Sequence, residues 1–379
     1  MNAPDISAPA TLKRSGRIRP FARGDVAAVA DMFQGVFRAS DAPGGARLQS
    51  DLAHFFLDHP HFSPATAALI YERPDGAIGG FAGFAPLKLR FDEAPLLGSI
   101  ISTWMVADRA RDREAGGLLV RAHLKRGHAL TATDTANDVS VAFLQQLRFD
   151  FSHAHALRWV LPLNFSAYSA GALASRLGLG EARRMREGAF VVERLMRRLS
   201  RRPGIAMPPG WSRSAVSAET FAQDFCALSQ GYRLRPDWTP QDVAWMIAFA
   251  ARRNGGGRLR LGQARDASGA FAGCYAYFAD RRGQAETIQI LARPQREEGV
   301  LRALIEDATA AGCSFIVGHA DPALLRGLRA IPNIFFRQSR ATAMRSRTPE
   351  HFAAVATGKG LIGGLIGDSW TPMAVDPYA

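Results

Sequence analysis

Cysteine is scarce in this sequence: three occur among 379 residues, Cys226, Cys274 and Cys313. They stand far apart, with no partner at the spacing of a disulfide framework or a zinc site, so a stapled secreted scaffold and a cysteine-held metal are both excluded. A reducing compartment is expected. Long apolar runs are lacking too. The glycine-rich stretch Gly360–Gly367 is far shorter than the roughly 20 residues needed to cross a bilayer. No signal-type apolar core precedes Lys13 and Arg14 in the Ala- and Pro-rich start. These absences predict a soluble, cytoplasmic chain with no transmembrane segment.

Acidic residues are the minority charge, 34 Asp and Glu against 47 Lys and Arg, for a net charge of +13. Such an excess draws anionic partners. A nucleotide-bearing cofactor, nucleic acid, anionic glycan or membrane surface would all qualify, as would a plain solvated arginine surface. The run Arg194–Arg202, with five arginines, reads as a connection between lobes and not as a binding patch.

What is present is globular: 47% of residues are hydrophobic and 21% charged. The length favours two cores over one. After a tail over residues 1–16, a strand is expected at Arg17–Phe21, then a helix capped at Asp25 and a second helix over Ser50–Asp58. Strands follow at Ala67–Tyr71, Ile78–Leu89 and Leu96–Val106. The next elements are a helix over Ala115–Arg126 with Leu118, Leu119, Ala122 and Leu124 inward, a strand near His128–Thr133, and a helix over Asn137–Leu147. A strand over Ala156–Leu163 then closes a first lobe of residues 17–200.

Residues 201–214, with Pro203, Gly204, Pro208 and Pro209, read as a linker. A second lobe of residues 215–345 repeats the plan. Its helices are expected at Phe221–Leu228, Val243–Ala250, Gly299–Ala310 and Pro322–Arg329, and its strands at Arg258–Arg265, Phe271–Phe278, Glu286–Ala292 and Phe315–His319. Residues 346–379 remain as a C-terminal extension. The fold class is therefore α+β, with each lobe a mostly antiparallel sheet flanked by helices.

The chemically informative stretch runs from Ser102 to Leu119. A strand enters a short basic turn with Arg111 and Arg113, and a helix follows whose first turn holds Gly116 and Gly117. Unpaired N–H groups and the positive end of the helix dipole converge there, which suits a pyrophosphate. The arginines would add charge-assisted hydrogen bonds.

This stretch resembles the signature of the GNAT superfamily of acyl-CoA-dependent N-acyltransferases. That signature places Gln or Arg, two residues, Gly, one residue, then Gly or Ala. Arg111 and Gly116 match the outer positions, and Glu114 stands at the inner glycine. Arg17-Ile18-Arg19-Pro20-Phe21 with Asp25 resembles the family's opening. Ile78-Gly79-Gly80-Phe81 resembles its third-strand phrase, and Asn137, Ser140, Phe143 and Phe149 its last motif. Phe143 takes the place of the tyrosine that protonates the departing thiolate, and phenylalanine has no proton to donate.

The resemblance implies two GNAT-like lobes, the first binding acetyl-CoA or another acyl-CoA through Met105, Val106, Arg111, Arg113, Gly116, Gly117, Asn137 and Phe143. An amine, a small molecule or glycan precursor, would attack the thioester directly without a metal. Ser140 and Asp134 are the candidates for proton transfer. Glu72 is a further titratable candidate beside its reading as a solvated carboxylate; His153 and His155, alternating about Ala154 on one face of an expected strand, are either titratable candidates or structural histidines, and Trp104 and Trp159 either line an acceptor cleft or pack in the core. The second lobe's equivalent turn, Ala292–Gly299, has one glycine and adjacent acids, and is expected not to hold coenzyme A. Two alternatives stand beside the enzyme: a non-catalytic acyl-CoA-binding or scaffold protein, and a Fem-type peptidyltransferase taking aminoacyl-tRNA. Apart from that tRNA, no nucleic-acid partner is expected, and no oligomeric state is implied.

Overall fold

In a computed structural model, residues 16–108, 110–163, 205–255, 257–280 and 283–378 are described. Residues 1–15, the arginine run Arg194–Arg202 and the first part of the expected linker, 201–204, lie outside them. The remainder of that linker ends in a strand, Ser212–Ala215.

The first half runs β1 (Arg17–Pro20), α1 (Val26–Phe33), α2 (Ala46–Phe56), β2 (Leu69–Glu72), β3 (Ile78–Phe91), β4 (Ala94–Val106), α3 (Ala115–Leu124), β5 (Leu130–Ala136), α4 (Asp138–Gln146), β6 (Asp150–Ser152) and β7 (Leu157–Pro162). The second repeats the order. It runs β8 (Ser212–Ala215), α5 (Ala218–Ser229), β9 (Leu234–Pro236), α6 (Pro240–Ala250), β10 (Arg258–Arg265), β11 (Phe271–Ala279), β12 (Gln284–Ala292), α7 (Glu297–Ala310), β13 (Phe315–His319), α8 (Leu325–Ala330), β14 (Phe335–Gln338) and β15 (Ala341–Ser346). Two further helices close the chain, α9 (Pro349–Ala356) and α10 (Pro372–Val375).

Two sheets result, ordered β1-β2-β3-β4-β5-β15-β6 and β14-β7-β13-β12-β11-β10-β8, with β9 added to β3. Neither lobe closes with its own last strand. β7 does not close the first lobe; it pairs with β13 and β14 in the second sheet. β15 makes the reciprocal move and lies between β5 and β6. Strand alternation specifies which face a strand buries but not which sheet receives it.

Helix α3 corrects a detail of the sequence reading. Leu119 and Val120 are buried while Leu118 points outward. Beneath α3, the glycine of the third-strand phrase admits the helix. A Cβ on Gly80 would stand 3.2 Å from Leu119 and 3.4 Å from the Ala115 Cβ.

The largest core joins both halves. Phe55 and Phe56 of α2 share it with Phe221 and Phe225 of α5 and Phe249 of α6, and the C-terminal segment adds Leu361, Ile362, Trp370 and Met373. The supposed extension is thus core. Its far end is tied as firmly: the Tyr378 hydroxyl donates to buried Asp51 at 2.8 Å, and the Asp376 carboxylate accepts from Gly255 N–H at 2.8 Å and pairs with Arg47.

Candidate active site

The site begins where two parallel strands part. β4 and β5 pair only over Gly98–Ile100 and Leu130–Ala132. Beyond that, both continue, to Val106 and Ala136, without pairing to each other. A hydrogen-bonding edge of each is left facing the gap.

A network at the apex holds the strands together before they diverge. Ser99 Oγ lies 2.7 Å from His123 Nε2 and 3.2 Å from Thr131 Oγ1, and the His123 ring stacks on Phe84 with centroids 3.6 Å apart. Burial pushes the His123 imidazole down to about 2, so it is neutral. Just past the apex, Thr103 is an extra residue in β4 with φ of 35°. It is a bulge that turns the strand away from β5.

The opening is a cavity of about 200 Å³ lined by Ser102 and Trp104 from β4, Thr135 from β5, Ser140 from α4, and Phe33 and Phe37 from α1. Its floor is Asp368. The Asp368 carboxyl bridges the diverging strands, accepting from Ser102 Oγ at 2.5 Å and Thr135 Oγ1 at 3.0 Å. Full burial, and next the neighbouring Asp134 carboxylate, lift Asp368 well above the usual carboxylate range. Beside the cavity, α3 opens with Gly116 and Gly117, whose N–H groups fall in a first turn that has no carbonyls of its own to bond.

No protein-family model matches the sequence, and no curated protein does. Solved structures do. A GCN5-related N-acetyltransferase from Kribbella flavida superposes with a TM-score of 0.54 at 14% identity, over 87% of this chain and 72% of that one. A conserved protein from Enterococcus faecalis V583, described as a probable N-acyltransferase, gives 0.56 at 10% identity, over 91% and 74%. A GCN5-related N-acetyltransferase from Anabaena variabilis gives 0.56 at 10% identity, over 88% and 73%. The fold is a two-lobed GNAT fold.

Within this GNAT frame the expected residues divide. Asn137 and Ser140 line the cleft, and the Asn137 side chain caps α4 by accepting the Ser140 N–H at 2.9 Å. Phe143 rests on the glycine turn: a Cβ on Gly117 would stand 3.1 Å from its ring, and the ring meets Trp104 edge-on at 5.1 Å. Gly116 is backed by the Trp104 indole, 3.1 Å from where its Cβ would be. Val106 ends β4, and Met105 beside it is buried.

Arg111 is exposed and paired with Asp75 at 2.7 Å. Arg113 is exposed and has no acidic partner among the described residues, and the Glu114 side chain also lies in solvent. The turn itself is pinned by a residue that sequence reasoning passed over. Asp112, buried, takes the Arg73 guanidinium in a two-pronged pair.

Other candidates are otherwise engaged. Asp134 accepts from Asp368 N–H and Ser369 Oγ, each at 3.1 Å, and so fixes the C-terminal segment. Glu72 is held by Arg17 at 2.8 Å and Arg19 at 2.5 Å. His153 and His155 lie in the turn after β6, not on a strand; His153 is exposed and His155 buried. Trp159 is buried in the second lobe's core and does not line the cleft. The second lobe's turn is filled, since a Cβ on Gly299 would fall 2.1 Å from the Trp211 indole. Asp368 itself was missed. Its one signal is that it is the only acid between Glu350 and Asp376, in a stretch that is otherwise largely apolar.

Among the described residues, no group of three or more His, Cys, Asp or Glu could hold a metal ion, and no helix is long and apolar enough to cross a membrane.

Proposed function

We propose that the protein transfers an acyl group from acyl-CoA to a small-molecule or glycan-precursor amine in the cytoplasm, with the donor bound in the first lobe and Asp368 handling the protons. The N–H groups of Gly116 and Gly117, with Arg113, hold the pyrophosphate, and the pantetheine arm runs into the gap between β4 and β5. The amine nitrogen attacks the thioester carbonyl carbon, and the C–S bond breaks as the amide forms. Asp368, protonated at rest, donates to the leaving thiolate. Its carboxylate then takes the proton from the amine nitrogen, which restores the resting state and leaves an amide and a free thiol. This assigns to Asp368 the role that Phe143 cannot play.

The observation that carries the reading is the buried carboxyl, its proton affinity raised by burial, set across the mouth of a strand gap next to a glycine-opened helix. The second lobe offers less: its gap is a cavity of about 50 Å³, with the Leu365 N–H bonded to Gln289 Oε1 across it.

Thiol release from acetyl-CoA over a panel of amines tests the activity. Asp368→Asn keeps the shape and removes the proton, and turnover is expected to fall by about 10²-fold or more, the usual worth of a general acid–base group. Undiminished turnover in that variant would remove Asp368 from the mechanism. Coenzyme A binding without thiol release for any amine would favour a non-catalytic acyl-CoA-binding protein, a reading to which Phe143 gives weight.

A further inference from the structure

Beside the cleft lies a second, larger cavity of about 650 Å³, between α4, the turn after β6 and the β14–β15 connection. Ala136, Asn137 and Arg340 line both spaces, so the two are immediate neighbours.

This second cavity is basic. Arg337 and Arg340 are exposed and have no acidic partner among the described residues, and Arg158 enters from β7. Arg158 Nη2 donates to Glu286 at 3.1 Å, but that carboxylate also takes Arg253 at 3.0 Å, and Arg158 Nε is buried without a partner. The guanidiniums are close enough to act on one another. Burial lowers the proton affinity of Arg158, and the charges of Arg337 and Arg340 push the same way; Arg38, at the cleft, is likewise affected by Arg340. Among the described residues, the one carboxylate lining the cavity is Asp138, exposed in the first turn of α4. Converging cations whose counter-charges are Asp138 and a Glu286 already shared with Arg253 form a site for an anion.

Helix α4 shows which ligand that anion belongs to. Asn137, Val141 and Gln145, four residues apart, face the basic cavity, and Ser140 and Leu144 face the cleft. Phe143 faces the glycine turn of α3. The three faces succeed one another around the helix. The cleft therefore lies between the glycine turn, where the donor's pyrophosphate is placed, and the arginines. An anion on the arginine side comes from the other reactant.

We propose that this cavity is the acceptor's anion subsite, with Arg337, Arg340 and Arg158 receiving a carboxylate or phosphate, so that the acceptor is an amine that also carries an acid. The inference rests on the acyl-transfer reading above.

Matched amines differing only in the acid test it: glucosamine against glucosamine 6-phosphate, and tyramine against tyrosine. In the parent protein, an acid-bearing member is expected to show a kcat/KM at least tenfold higher, mainly through KM. Arg337→Gln and Arg340→Gln, both surface changes, should each remove most of that preference. Equal kcat/KM across both pairs in the parent would overturn the proposal.

A second readout needs no turnover. Glucosamine 6-phosphate is titrated calorimetrically into the protein saturated with coenzyme A. Saturable binding that weakens about tenfold in both variants supports the subsite even if no amine is acylated, in which case only the catalytic reading fails. Absence of binding, or binding unaffected by either variant, overturns it. Acetyl-CoA titrated into Arg337→Gln distinguishes the remaining source of anion: unchanged affinity supports the acceptor, and a tenfold loss would assign the arginines to the donor's own phosphates and overturn the proposal.

Discussion

Small groups decide the chemistry of the cleft. At the donor turn the glycines are needed because their neighbours are rings: Trp104 behind Gly116, Phe143 behind Gly117. Gly117→Val would force Phe143 aside and distort the first turn of α3, and acetyl-CoA affinity measured by calorimetry is expected to fall at least tenfold. Arg293→Glu, in the second lobe's filled turn, should leave it unchanged. Reversing Arg111 should cost less than a buried phosphate contact would, because this exposed side chain already shares its charge with Asp75.

At the apex, His123 has a folded-state value of about 2 against roughly 6.5 when unfolded, so between these pH values the unfolded chain binds the extra proton. Its contribution is intact above about pH 6.5 and is lost as pH falls, by about 1.4 kcal/mol per unit. His59, pushed down to about 3 mainly by burial, acts in the same direction. Urea unfolding between pH 7 and 5 should show the decline, and His123→Phe should flatten it by the share belonging to one histidine.

At the scale of elements, the exchanged strands matter most. β15 is paired on both sides, Ala343 lying opposite Thr133 on β5 and Phe151 on β6. A proline there removes a ladder bond from an interior strand, a position from which proline is essentially excluded. Ala343→Pro is expected to lower the melting temperature sharply and, since β5 carries Thr135, to abolish acetyl-CoA binding in whatever protein stays folded. Both would be read from the same thermal scan with and without acetyl-CoA. Much of the element order was legible in advance, because apolar spacing and Gly/Pro punctuation act within a few residues. β6, β8, β9, β14 and β15 were not. They are three to six residues long, and β14 is exposed throughout, so they carry little periodic signal.

The whole molecule is built as one unit despite its two sheets. The reciprocal exchange of β7 and β15 and the core shared by α2, α5, α6 and the C-terminal segment leave neither half with a complete sheet or a complete core. A fragment ending at residue 200 would lack β15 and expose the facing edges of β5 and β6, and it is expected to be insoluble or unfolded by circular dichroism. The full chain should unfold in urea in a single transition. Two well-separated transitions would show that the exchange does not couple the halves.

By itself the sequence determined the α+β character, the two-fold repetition of elements and the strand–turn–helix with Gly116 and Gly117, since each depends on local spacing and on what a side chain can or cannot do. Only tertiary structure decided that the last strand of each half belongs to the other sheet, that Asp134 holds the C-terminal segment, and that Asp368 occupies the cleft. The physical reason is distance along the chain. Asp368 is 266 residues from Ser102, and burial in that contact raises the proton affinity of its carboxyl, a property that no neighbour in sequence imparts.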